Sequence, residues 1–121
     1  MVRKKVFVCD DDADIIDMLD IVLSAHFETI CETDSRRVID QVHLLKPDVV
    51  IVDLWMPFIA GDEIIRMLRG DEKTQDLTII AISASPSGNE NAKAAGADLF
   101  IPKPFEIAQL IEAVRSASHE N

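Results

Sequence analysis

Val49-Val50-Ile51-Val52-Asp53 decides the fold: an unbroken β-branched run closed by a carboxylate. With no polar residue alternating in it, the run reads as a strand buried on both faces, as in a parallel sheet covered by helices on each side. Two other apolar runs end in chemistry in the same way. Residues 6–9 lead into Asp10 and Asp11, and residues 99–101 lead into Pro102-Lys103-Pro104. Stretches of helical period separate the runs, which is the pattern of βα units in an α/β fold.

Working outward from that central strand, residues 4–9 form the first strand. Asp12 or Ala13 opens a helix whose apolar stripe is Ile15, Ile16, Leu19, Val22 and Leu23, with Asp14, Asp17 and Asp20 facing water. Residues 28–31 make a short, half-apolar strand suited to a sheet edge. Asp34 or Ser35 can cap a second helix carrying Val38, Ile39, Val42 and Leu45, which Pro47 stops. Residues 61–68 predict a third helix ended by Gly70, residues 77–82 a fourth strand and residues 99–101 the core of a fifth. The signal is weakest at Ser85-Pro86-Ser87-Gly88-Asn89, which is loop chemistry and leaves only residues 90–95 for a fourth helix before Gly96. Phe105, Ile107, Leu110, Ile111 and Val114 mark the last helix, expected to fray into a polar tail over 116–121.

The totals narrow the field. A chain of 121 residues supports one core, so residues 1–121 read as a single domain. Its formal charge of −10 repels nucleic acid and anionic membranes alike, so neither is expected as a direct partner. The basic start Arg3-Lys4-Lys5 is followed by an apolar stretch too short for a signal peptide, and no segment approaches the roughly 20 apolar residues of a membrane span. A cytoplasmic protein is the expectation. Cys9 and Cys31 end the first two strands and are expected as reduced, small core residues that could be near neighbours.

In a doubly wound sheet of order 2-1-3-4-5 the first and third strands are adjacent, and ligands gather at the carboxyl ends where the order reverses. Asp10, Asp11 and Asp53 then share one pocket. Crowded carboxylates repel and tend to hold protons, an objection that a divalent cation removes. Oxygen-only ligands favour Mg²⁺ or Ca²⁺, and a site leaving positions for water and a phosphoryl oxygen suits Mg²⁺ better. A carboxylate there can also attack phosphorus to give an acyl phosphate, with the metal, an ammonium and a hydroxyl stabilising the outer oxygens of the transferring group. Lys103 and Ser83, each at a strand's carboxyl end, can supply the ammonium and the hydroxyl. The predicted reaction is phosphorylation of an aspartate, Asp53. Taken alone, Asp12 and Asp62 read as helix caps or turn formers, and Ser83 or Lys103 would be unremarkable. The joint placement of Asp10, Asp11, Asp53, Ser83 and Lys103 points to function.

From end to end the chain resembles a receiver domain of two-component response regulators. The resemblance rests on Val-Cys-Asp-Asp-Asp at 8–12, Val-Asp-Leu-Trp-Met-Pro at 52–57 and Ala-Gly-Ala-Asp-Leu-Phe-Ile-Pro-Lys-Pro-Phe at 95–105. It implies a flavodoxin-like, five-stranded parallel sheet and Mg²⁺ bound by Asp10, Asp11, Asp53 and the backbone carbonyl of Trp55. It further implies that Asp53 takes a phosphoryl group from a histidine kinase or phosphotransfer protein and signals to a downstream protein or fused output domain. Ser83-Ala84 matches the family's hydroxyl-bearing pair, Phe100 stands at its aromatic switch position, and a cis peptide is implied between Lys103 and Pro104.

The chain also departs from the family pattern. Phe58-Ile59-Ala60 replaces a glycine-containing turn after Met56-Pro57, with exposure as a partner surface and packing about equally expected. Trp55 is bulky for its position, two residues past the nucleophile. It is read either as a partly buried aromatic or as a shield that hinders water from reaching the acyl phosphate. The segment 83–96 is shorter than usual, so the fourth helix is expected to be short, mobile or partly unwound, and dimerisation by analogy is less secure.

Other functions compete. Asp10-Asp11-Asp12 superficially resembles the Asp-x-Asp signature of haloacid dehalogenase-like phosphatases, but Ala13 departs from it and there is no room for the later acidic motif and a cap. An interaction module without phosphorylation has no physical need of all five site residues. A flavin site is opposed by acidic residues where a phosphate loop would sit.

Overall fold

The computed structural model describes residues 3–117. Five parallel strands, β1 (Lys5–Cys9), β2 (Glu28–Glu32), β3 (Val49–Asp53), β4 (Thr78–Ser83) and β5 (Leu99–Pro102), form one sheet ordered β2-β1-β3-β4-β5. Helices α1 (Ala13–Ser24), α2 (Val38–Leu45), α3 (Gly61–Arg69), α4 (Gly88–Ala95) and α5 (Ile107–Ala117) alternate with them. The doubly wound architecture expected from the apolar runs is therefore present, and the strand order reverses between β1 and β3.

Alternation along the strands divides the core in two. Phe7, Cys9, Val50, Val52, Ile79 and Ala81 point to the side covered by α2, α3 and α4. Val6, Val8, Val49, Ile51, Ile80 and Ile82 point to the side covered by α1 and α5. Because β3 is central, the side chains of Val49, Val50, Ile51 and Val52 are all fully buried. Burial of that kind stabilises by about 1.5–3 kcal/mol per large aliphatic side chain, which is why a run with no polar alternation suits this central position. The half-apolar β2 is an edge strand, as its composition predicts.

Register separates the two cysteines. β1 and β2 pair Val8 with Cys31 and Cys9 with Glu32, so the expected proximity fails: Cys9 enters one core and Cys31 packs against the other. Both are free thiols. Burial pushes the Cys9 thiol far above its ordinary range and raises Cys31 to about 11, so neither is a reactive thiolate.

Local chemistry sets the helix ends. Asp12 caps α1, its side chain accepting from the N–H groups of Asp14 at 3.0 Å and Ile15 at 3.3 Å. Asp34 caps a 3₁₀ turn, Ser35–Arg37, which leads into α2; Ser35 is not a cap and has a different role. Lys46, in the left-handed region just before Pro47, closes α2. At the start of α3 a Cβ on residue 61 would lie 2.0 Å from the Asp53 carbonyl oxygen, so only glycine lets this helix back directly onto the end of β3.

Two helix limits differ from expectation. The short α4 begins at Gly88 rather than at residue 90, because the Gly88 N–H bonds to the Ser85 carbonyl at 3.0 Å and the Asn91 N–H to that of Ser87 at 3.0 Å. The loop-forming serines thus build the helix entry instead of excluding it. The helix α5 continues through Ala117, so residues 116 and 117 are helical rather than frayed, and the rest of the expected tail lies outside the described residues.

Candidate functional site

Asp10 follows the last residue of β1 and Asp53 ends β3, so the adjacency of these two strands brings both carboxylates to one spot above the sheet. Both residues are buried, with 0% and 5% of their surface exposed. Asp11 completes the group: one carboxylate oxygen from each of the three residues lies within 4.8 Å of the others. Lys103 reaches in from the end of β5, its Nζ donating to Asp10 Oδ2 at 3.0 Å and to Asp53 Oδ2 at 3.1 Å. The Lys103–Pro104 peptide is cis, as the resemblance implies.

The remaining carboxylate oxygens are held by the backbone. Asp10 Oδ1 accepts from the Asp12 N–H at 3.0 Å, and Asp53 Oδ1 from the Trp55 N–H at 3.2 Å. Burial, then the charge of Asp10, raises the Asp53 carboxyl to about 6, against the opposing pull of Lys103 and the Trp55 N–H. For Lys103 burial works against the charged form, but its bond to Asp10 and the charges of Asp53 and Asp10 outweigh it and hold the ammonium above its ordinary value. Three carboxylates facing one ammonium leave an excess of negative charge in a confined space. An all-oxygen donor set with that excess fits a hard divalent cation such as Mg²⁺.

Ser83 ends β4 and is 4% exposed. With Asp53, Trp55, Ala84, Ser85 and Lys103 it lines a cleft of about 420 Å³. Its Oγ accepts from the Ser85 N–H at 3.0 Å, and its backbone carbonyl accepts from the Lys103 N–H at 2.9 Å, which fixes the lysine loop to β4. Phe100 is half-buried, on the side of the sheet covered by α3 and α4. A Cβ at Gly88 would stand 2.8 Å from Phe100 Cζ and 3.0 Å from Ser83 Cβ, so hydroxyl residue, aromatic ring and first residue of α4 meet at one point.

Trp55 is not a partly buried aromatic: it is 71% exposed at the mouth of the cleft. The segment after it divides. Phe58 is 69% exposed with the Arg36 guanidinium 3.7 Å from its ring centroid, whereas Ile59 packs against the core. Sequence reasoning missed Ser35, a buried residue whose hydroxyl donates to the Pro57 carbonyl at 2.6 Å and accepts from the Ile59 N–H at 3.0 Å. No local signal marks it, since its partners lie more than 20 residues away.

The model of the response regulator receiver domain matches residues 6–115. The chain belongs to that family. Among curated relatives it is 33% identical over 122 residues to the DNA-binding response regulator MtrA of Mycolicibacterium paratuberculosis, covering 98% of this chain and 53% of that protein. It is 31% identical to the phosphate regulon transcriptional regulatory protein PhoB of Pseudomonas aeruginosa, covering 96% of the chain and 52% of the relative. This receiver therefore spans about half the length of these curated relatives. Among solved structures, the chemotaxis protein CheY4 of Vibrio cholerae superposes with a TM-score of 0.87 at 25% identity, over 96% of this chain and 99% of that one. A response regulator structure from Chloroflexus aurantiacus gives a TM-score of 0.90 at 26% identity, over 96% and 98%. No helix among the described residues is long and apolar enough to cross a membrane.

Proposed function

We propose that Asp53 is the phosphoacceptor of this receiver, taking a phosphoryl group from the phosphohistidine of a partner histidine kinase or phosphotransfer protein in the cytoplasm. An Asp53 carboxylate oxygen attacks phosphorus, the P–N bond of the donor breaks, and its electron pair returns to the imidazole nitrogen. Asp10, Asp11 and Asp53 are the side chains that hold Mg²⁺, with the Trp55 backbone carbonyl as a further ligand. The bound ion supplies electrostatic stabilisation of charge on the phosphoryl oxygens.

The chain's own groups do the rest. Lys103 Nζ, already within 3.1 Å of Asp53 Oδ2, is placed to pair with a phosphoryl oxygen once the carboxylate is phosphorylated. Ser83, lining the same cleft, offers its hydroxyl hydrogen to another, its Oγ being an acceptor in the bond from the Ser85 N–H. Phe100, which like Ser83 lies against Gly88 at the start of α4, carries that local change to the surface. The readout is a downstream protein or an output domain in the same protein, and direct contact of this acidic domain with nucleic acid is not part of the proposal.

The single observation that carries this reading is the ammonium of Lys103 bonded at once to Asp10 and Asp53, from chain positions 93 and 50 residues away. The test is incubation with Mg²⁺ and a small acyl-phosphate or phosphohistidine donor, followed by intact mass. One phosphoryl adduct is expected, absent in Asp53→Asn and absent with a chelator. An adduct of equal yield in Asp53→Asn, or none from either donor, contradicts it.

A further inference from the structure

The loop between β3 and α3 contains a strained turn. Phe58 has φ +73, and the Ile59 N–H bonds to the Pro57 carbonyl at 3.0 Å, which is a γ-turn of positive φ. That conformation is rare and costly for a residue with a Cβ, and strain of this kind persists only where surrounding structure over-determines it. Packing of the Phe58 ring does not supply the compensation, since the side chain is largely exposed.

Ser35 does supply it. The residue is 2% exposed, and its Oγ closes a second bridge across the same turn, donating to the Pro57 carbonyl at 2.6 Å while accepting from the Ile59 N–H at 3.0 Å. A hydroxyl can act as donor and acceptor together, so one side chain grips both ends of the turn. Next to it Arg36 stacks on Phe58 from outside. The turn begins two residues after Trp55, whose N–H is bonded to Asp53 and whose carbonyl is the backbone ligand of the metal reading.

We infer that Ser35 is a positioning residue for the metal site: by clamping the Pro57–Ile59 turn it fixes the path of the backbone from Asp53 through Trp55. The inference rests on the metal reading above and extends it to a loop that does not touch the carboxylates. Groups that orient a metal's ligands without binding it commonly change affinity by an order of magnitude or more when removed.

The test is Mg²⁺ titration followed by the fluorescence of Trp55, the chain's one tryptophan, together with hydrogen exchange of amides 55–59. Ser35→Ala is expected to weaken Mg²⁺ binding about tenfold and to speed exchange in that loop. Ser35→Cys, which fills the same space with a poorer hydrogen-bonding group, is expected to fall between it and the parent, and it decides the matter if the alanine variant does not fold. In a Phe58→Gly background, where the turn is unstrained without a brace, Ser35→Ala is expected to change affinity little. Unchanged Mg²⁺ affinity in the Ser35 variants, or an equal loss with glycine at 58, overturns the inference. If the parent itself shows no Mg²⁺ binding, the metal reading fails first.

Discussion

At the scale of single residues, the Asp53 carboxyl shows what the site asks of the fold. Its pKa rises from an ordinary 3.8 to about 6, chiefly through burial and then through Asp10, so the folded chain holds this proton more tightly than the unfolded chain does. The stabilisation from that proton is complete below the unfolded value and is lost as pH climbs through the folded one. In metal-free protein, Asp53→Asn should therefore gain stability over the parent on going from pH 5 to pH 7, by on the order of 1 kcal/mol, and added Mg²⁺ should reduce the difference. Paired thermal melts at the two pH values check this; a pH-independent difference contradicts it. Trp55 poses a second question at this scale. Exposed at the mouth of the cleft, its indole is placed to obstruct the approach of water to an acyl phosphate on Asp53. Trp55→Asn is expected to speed loss of the phosphoryl group several-fold, read by intact mass over time, and equal rates in the two proteins would remove the shielding role.

At the scale of elements, the strands were legible because each buried one is an apolar run too short for a helix and bounded by turn residues. The carboxylates were legible because they close those runs, and parallel pairing has no choice but to bring strand ends of one sense to one edge of the sheet. Other features rest on geometry that composition does not carry. Cys9 and Cys31 differ by one position of register, which is enough to place them on opposite faces. The entry of α4 depends on carbonyls of Ser85 and Ser87 accepting from residues ahead of them, where serine, proline and glycine by themselves signal a loop. Ser35 reads as a cap from sequence and becomes a brace only when α2 and the β3–α3 loop are side by side. The same short α4 carries a prediction of its own. It has eight residues, no side-chain hydrogen bond at its N-cap and only the small side chains of Ala92 and Ala95 buried. Amides 85–95 should exchange much faster than those of β3, and protection equal to that of Val49–Asp53 would contradict a weakly held element.

At the scale of the whole molecule, two separate cores clamp one sheet, and among the described residues the buried charged side chains, Asp10 and Asp53, lie at the strand ends where the strand order reverses. Asp10 and Asp53 are there, and the lysine that compensates them arrives from the end of the sheet's last strand, so the site exists only when β1, β3 and β5 are all in register. The most direct measurement is to phosphorylate the Mg²⁺-loaded chain with an acyl-phosphate donor and reduce the product with borohydride. An aspartyl phosphate becomes homoserine, and its position is then mapped by peptide mass spectrometry. Homoserine at position 53 alone is the predicted result; reduction at position 10 or 11, or a stable phosphate on a serine, would contradict the account.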